Sequence, residues 1–238
     1  MTKPLFRDDA YARQAEGRVL GITTEGGIVL DATVFYPTSG GQPGDSGTLS
    51  WPGATLDIAT AVKGEGDSII LLPAEPAPLP AIGQVVLQKL NWDRRHRHMR
   101  VHTALHLLSV VIPLPVSGGA IAADKGRLDF DMPDAPEDKD ALDDALNRLI
   151  ACNMAVTEEW ITDAQLDAQP DLIKTMSVQP PRGSGRIRLV RIGIGSETAD
   201  LQPCGGTHVA NTSEIGRVRI GKIEKKGRQN RRVYLHLE

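Results

Sequence analysis

The chain is poor in cysteine and in aromatics. Of 238 residues only Cys152 and Cys204 carry thiols, and Phe, Tyr and Trp number three each. Two thiols so far apart exclude a disulfide-stapled fold and point to cytosolic thiol or metal chemistry. With so few rings, the core has to be built from aliphatic side chains. Long apolar runs are missing as well. Nothing approaches the roughly 20 residues that span a bilayer, and the N-terminal MTKPLFRDDAYARQAEG has no apolar signal segment. These absences predict a soluble, cytoplasmic protein with no membrane partner. An excess of charge is also absent: 27 Lys and Arg face 30 Asp and Glu, a formal net charge of -3. The average therefore says nothing about a nucleic-acid partner, and only the distribution of charge could. What remains is 40% apolar and 24% charged, the composition of one large or two small globular domains.

Residues 18–90 read as short strands with glycine turns. Val19–Ile22 and Ile28–Leu30 flank Thr24-Glu-Gly-Gly27, and Leu56–Val62 and Ser68–Leu72 flank Lys63-Gly-Glu-Gly-Asp67. Thr33–Tyr36 extends a strand into the glycine-rich Tyr36-Pro-Thr-Ser-Gly-Gly-Gln-Pro-Gly-Asp-Ser-Gly47. Pro73–Pro80 is a stiff connector. From Trp92 the pattern turns helical: 92–112 lacks Gly and Pro, and Asp93 is placed to cap it. A second helix is predicted over 136–152, its first turns acidic through Glu137, Asp138 and Asp140 and its apolar side carrying a buried Cys152. Strands return at Arg186–Ile192, Gly216–Ile223 and Arg232–Leu237. The expected class is α+β: a small glycine-rich β-barrel over residues 1–90, then an α+β domain of antiparallel sheet and helices over 91–238.

The chemistry-bearing residues fall in two pairs. His102 and His106, four apart on the first helix, share a face and could share an ion. Cys204 and His208 bracket Gly-Gly-Thr, a loop pliable enough to fold both side chains onto one centre. Three nitrogens and one sulfur suit Zn(II). The residue after His102 is Thr103 and not the Glu a zinc protease uses as base, which demotes peptidase chemistry. Four protein ligands make a closed structural site, while catalysis needs an open position, and the spacing leaves both alternatives standing. His96 and His98, on the same helix, read as basic surface.

These residues resemble a known family. Trp92-Asp-Arg-Arg95, His98-Met-Arg100 and His102-Thr-Ala-Leu-His-Leu-Leu108 are similar to the opening of the alanyl-tRNA synthetase editing domain, and Cys204-Gly-Gly-Thr-His208 to the second half of its metal motif. Phe35–Gly47 resembles the glycine-rich motif of the β-domain before it, which the threonyl-tRNA synthetase editing domain lacks. Lys125-Gly-Arg-Leu-Asp-Phe130 fits the strand after the first helix. No class II aminoacylation core precedes these motifs and no oligomerisation domain follows, so the resemblance implies a freestanding alanyl-tRNA editing protein of the longer AlaX type. It implies hydrolysis of mischarged tRNA(Ala), chiefly seryl- and also glycyl-tRNA(Ala), with Zn(II) held by His102, His106, Cys204 and His208 and no need of ATP.

Within that frame, Thr38 and Thr103 are candidates to meet a serine hydroxyl, Thr38 preferred, and Gly40, Gly41 and Gln42 to approach the terminal adenosine or aminoacyl group. Arg94, Arg95, Arg97 and Arg100 on the helix, with Lys225, Lys226 and Arg228 in the tail, are candidate tRNA contacts. Residues 217–238 hold eight Lys or Arg and two Glu, a balance of +6 that leaves about -9 for the remainder of a chain at -3. Two rivals stand beside this reading. A non-catalytic zinc module binding tRNA or a synthetase predicts a saturated site and no esterase activity, and a zinc hydrolase of a small ester or amide predicts no basic surface leading to the site.

Overall fold

Alternating apolar residues close the first part of the chain into a barrel. The computed structural model describes residues 1–136, 138–175 and 185–238, in two units, Met1–Arg97 and His98–Glu238. The first unit carries β1 (Gln14–Ile22), β2 (Ile28–Leu30), β3 (Gly47–Trp51), β4 (Ala54–Lys63), β5 (Ile69–Pro73) and β6 (Val85–Leu90). They close in the order β1-β2-β5-β4-β3-β6, with β6 antiparallel to β1, so the barrel has no open edge. Leu49, Leu56, Ile58, Leu71 and Val86 fill it, with Phe6, Phe35 and Tyr36 buried among them and Trp51 packed against them. The expected strand over Thr33–Tyr36 is shorter: only Ala32–Thr33 pairs, and Val34, Phe35 and Tyr36 are buried outside any strand.

The first helix, α1 (Trp92–Val111), begins one residue earlier than its expected cap. Asn91 Oδ1 accepts the Arg94 amide at 3.2 Å, so Asn91 and not Asp93 caps the helix. Every residue from Val101 to Ser109 is buried. A helix buried all round that still carries His102, Thr103, His106 and Ser109 must find partners for each of them. His98, expected at the surface, is also buried, and His96 stacks on Trp92 with ring centroids 5.5 Å apart.

The second unit contains β7 (Val116–Ile121), β8 (Lys125–Asp131), α2 (Lys139–Ala151), β9 (Val156–Ile161), β10 (Ile187–Ile192), β11 (Asp200–Pro203), β12 (Val218–Lys226) and β13 (Asn230–Leu237). One antiparallel sheet runs β12-β13-β8-β7 and a second runs β9-β10-β11. Gly126 sets how closely α1 approaches β8: a Cβ there would lie 2.6 Å from Val101 Cγ1 and 2.9 Å from Leu105 Cδ1.

Asp138 caps α2 by accepting the Ala141 amide at 2.9 Å. Four residues apart on α2, Asp143 accepts the Ile220 amide and Asn147 both accepts the Val218 amide at 3.1 Å and donates to its carbonyl at 2.9 Å. The helix thereby covers the outer edge of β12. Glu137, expected in the first turn of α2, lies outside the described residues. Cys152 is exposed, not buried, because the helix ends at Ala151 and Asn153 turns the chain away with φ 49°. Among the described residues no helix is long and apolar enough to cross a membrane.

The Gly126 contact yields a direct test. Gly126→Ala forces the stiff Val101 side chain to shift and lowers stability by about 1–3 kcal/mol. This is read as a lower denaturant midpoint at unchanged slope, and an unmoved midpoint refutes the close approach.

Candidate metal centre

α1 presents His102 and His106 from consecutive turns, and the loop after β11 returns Cys204 and His208 to them. The four ligating atoms lie within 4.8 Å of one another, three of the residues buried and Cys204 partly so. Cys204 Sγ stands 3.5 Å from His102 Nε2 and 3.3 Å from His208 Nε2. The ring centroids of His102 lie 5.3 Å from those of His106 and 4.2 Å from those of His208. Three imidazoles and a thiol facing one point form a donor set that could hold a metal ion.

The rings are oriented from behind. His106 Nδ1 lies 2.9 Å from Asp200 Oδ2 and 3.2 Å from Gln202 Nε2. Asp200, buried, also accepts from Gln202 at 2.8 Å and pairs with Lys174. The ionised carboxylate needs an N–H at His106 Nδ1, which leaves Nε2 for the centre. On the other side, Thr103 Oγ1 donates to the Met99 carbonyl at 3.0 Å and accepts the Val209 amide at 3.3 Å, with His208 Nδ1 at 3.1 Å. With its proton committed, the hydroxyl accepts the His208 Nδ1 proton, and His208 Nε2 also faces inward.

Electrostatics follows this arrangement. Burial opposes charge on Cys204, yet the imidazoles around it, His102 foremost, and its hydrogen bonds bring the thiol well below its ordinary range. Burial likewise opposes charge on His106, but Asp200 and Cys204 overcome it and raise its pKa to about 9. Burial, reinforced by the charge of His102, lowers His208 to about 3. Asp200 is brought down to about 2, burial being outweighed by His106 and Lys174. Taken alone, the four side chains therefore favour placing a proton on His106 rather than on Cys204. A metal ion must displace that proton.

The other sequence-predicted residues separate. Thr103 is wholly buried with its hydroxyl saturated, so it orients His208 and has no capacity left for a substrate hydroxyl. Arg95, expected as a tRNA contact, is fully buried. Its Nε bonds Asp45 at 2.9 Å, Nη1 donates to the Ala10 carbonyl at 3.0 Å, and Nη2 pairs with Asp45 and the Val34 carbonyl. This corrects the sequence reading: Arg95 is internal. Asp45 also accepts the Tyr36 amide at 2.6 Å, closing the base of the glycine-rich loop.

In that loop Gly40 (φ 56°) and Gly41 (φ 82°) turn the backbone between Ser39 and Gln42, a conformation side-chain-bearing residues rarely adopt. Thr38 is exposed, accepts the Gly44 amide at 2.9 Å and donates to the Ala61 carbonyl at 3.3 Å, which leaves one lone pair. Gln42 is wholly buried. Arg97, Lys225 and Arg228 are exposed and Arg94 and Arg100 half-buried. Arg100 Nε donates to the Ile215 carbonyl at 2.8 Å, and Lys226 shares Glu224 with Lys222.

Sequence reasoning missed Asp200, Gln202 and Lys174. A signal existed for the first two: Asp200, Gln202 and Cys204 alternate along one strand and its end, and period two puts them on one face. Lys174 has no such mark.

The chain is similar to known proteins. The family model described as threonyl and alanyl tRNA synthetase second additional domain matches residues 187–234, and that of class II (A) tRNA synthetases matches residues 10–94. The chain is 34% identical over 247 residues to the alanyl-tRNA editing protein AlaX-M of Methanosarcina acetivorans, covering 100% of this chain and 99% of that protein. Identity to the AlaX-M of Methanosarcina barkeri is 36% over the same extent. The alanine–tRNA ligase of Caldivirga maquilingensis is 30% identical over 233 residues, 94% of this chain and 25% of that enzyme.

Two predictions follow from the geometry. Because His106 holds its proton up to about pH 9, apparent metal affinity rises with pH towards that value, by up to about tenfold per unit. Asp200→Asn weakens affinity about 10–100-fold even where that proton no longer competes. Chelator competition across pH measures both; a flat profile or an unaffected variant refutes the assignment. Separately, Arg95→Met strands a buried carboxylate and costs about 3–5 kcal/mol, whereas Arg97→Met costs almost nothing in the same denaturation experiment.

Proposed function

The chain belongs to the alanyl-tRNA editing protein family, and from that premise we propose that it deacylates mischarged tRNA(Ala) in trans, as a Zn(II)-dependent ester hydrolase. Seryl-tRNA(Ala) is the chief substrate and glycyl-tRNA(Ala) the second. The observation that carries the reading is the convergence of His102, His106, Cys204 and His208 in a chain aligned end to end with freestanding editing proteins. The need for such an enzyme is physical. A synthetase pocket cannot strongly reject serine for one added hydroxyl, or glycine for one missing methyl, so a second, hydrolytic site makes up the deficit.

The four side chains are the ligands we propose for Zn(II), which when bound supplies Lewis acidity for an ester carbonyl or a water. The protein's own part is to prepare them. Asp200 and Thr103 keep the Nδ1 protons of His106 and His208 outward, and the Cys204 thiol is brought well below its ordinary range. Thr38, exposed with a lone pair to spare, is the proposed partner of the serine hydroxyl. The open backbone at Gly40 and Gly41 would admit the aminoacyl end, with buried Gln42 supporting the turn from within. Arg97, Lys225 and Arg228 are the proposed phosphate contacts, with Arg94, Arg100 and Lys226 beside them. Ester hydrolysis is downhill and needs no ATP.

One observation favours a second reading: four donors are a complete set for a structural zinc, as in a non-catalytic module that binds tRNA or a synthetase.

Deacylation of seryl-, glycyl- and correctly charged alanyl-tRNA(Ala), with zinc quantified in the same preparation, separates them. The editing enzyme consumes the first two, spares the third and loses activity in His102→Ala. Bound zinc with every ester intact leaves the module. Thr38→Val lowers kcat/KM for seryl-tRNA(Ala) about tenfold, the worth of one hydrogen bond, and spares glycyl-tRNA(Ala). Equal loss on both substrates removes Thr38 from serine recognition.

A further inference from the structure

The loop that carries Cys204 and His208 contains Gly205 and Gly206, the residue type that holds a backbone least firmly. Yet Cys204 must present its sulfur to three imidazoles within a few tenths of an ångström. The restraint comes from β10. Arg188 Nη1 donates to the Cys204 carbonyl at 2.7 Å and to the Gly206 carbonyl at 2.9 Å. The backbone carbonyl of the same residue accepts the Cys204 amide at 3.2 Å. Its Nη2 pairs with Glu158 on the neighbouring strand β9. Within the loop so held, the Gly206 amide stands 3.4 Å from Cys204 Sγ. The Arg188 side chain is 7% exposed and Glu158 35%.

We propose that Arg188, anchored by Glu158, is a positioning residue of the metal centre: its guanidinium gathers the carbonyls on both sides of Gly205 and thereby fixes where the Cys204 sulfur points. The chemistry requires an arginine. A planar fork can serve two carbonyls from one nitrogen and a carboxylate from the other, whereas a lysine ammonium is a single point charge on a mobile stem. Burying a cation beside two carbonyls of an irregular segment is tolerable only because a carboxylate neutralises it. Within the donor set, only the long contact of Cys204 Sγ with the Gly206 amide touches the backbone between the two ligands. The inference rests on the proposed metal reading of the four side chains and extends it to the residue that assembles them.

The test compares Arg188→Lys, Arg188→Met and Glu158→Gln in the full chain. Arg191→Met serves as the control, because Arg191 sits on the same strand and pairs instead with Glu159 at 3.0 Å and Thr198 at 2.7 Å. Zn(II) affinity is read by chelator competition, and the thiolate bond by the sulfur-to-metal charge-transfer band of the Co(II) form. Both Arg188 variants are expected to weaken Zn(II) binding about 10–100-fold and to diminish that band, with Arg191→Met indistinguishable from wild type. Wild-type affinity and a full band in Arg188→Met overturn the proposal. So does an equal loss in Arg191→Met, which would make the effect one of strand integrity. Should the Arg188 variants fail to fold, Glu158→Gln decides: about tenfold weaker binding supports the role, and unchanged binding refutes it. A wild-type chain that binds neither ion refutes the metal reading and this inference together. One that binds ions but hydrolyses no ester refutes editing alone and leaves the Arg188 comparison valid.

Discussion

A thiolate placed among three imidazoles away from bulk water is costly unless every neighbouring charge and proton is assigned, and much of the second unit follows from that constraint. The imidazoles around Cys204, His102 foremost, bring its thiol well below its ordinary range against the cost of burial. The proton that balances it sits on His106, which Asp200 supports from behind. Asp200 is in turn neutralised by Lys174 and bonded by Gln202. Each group is acceptable in the interior only because the next one is there. This is why the polar residues lie on the buried stretch of α1, where an ordinary core helix would carry leucine.

Two arginines solve the same problem in different units. Arg95 bonds two main-chain carbonyls, those of Ala10 and Val34, and the carboxylate of Asp45. Arg188 bonds the carbonyls of Cys204 and Gly206 and the carboxylate of Glu158. In both, an irregular segment that no sheet can satisfy is fastened by one guanidinium, whose five donors suit several acceptors at once. In both, the fastened segment adjoins residues given a role: the loop bearing Thr38 in the first unit, and the Cys204–His208 loop in the second. Rigidity at these loops is thus provided by side chains, because the glycines that let the backbone turn there cannot provide it.

The basic tail shows how local structure edits a charge count. Glu224 is shared by Lys222 and Lys226, and Glu238 by Arg217 and Arg219. Arg232 is taken up by Asp129 through paired bonds of 2.7 and 2.8 Å. Each shared Glu still leaves one positive charge, and Lys225 and Arg228 add two more near the tip of the β12–β13 hairpin.

Sequence by itself determined the elements whose signals are local. Hairpins with glycine turns, the gap-free helix from Trp92 and the four-residue spacing of His102 and His106 are written in neighbouring residues, because strand and helix periods act over a few positions. Distance along the chain hid the rest. The burial of Arg95 depends on Asp45, fifty residues away. The role of Thr103 depends on His208 and Val209, more than a hundred away. The exposure of Cys152 depends on a helix that stops one residue before it. A buried charge and a surface charge look identical in sequence, because what separates them is a partner, and partners are chosen only when the chain folds back on itself.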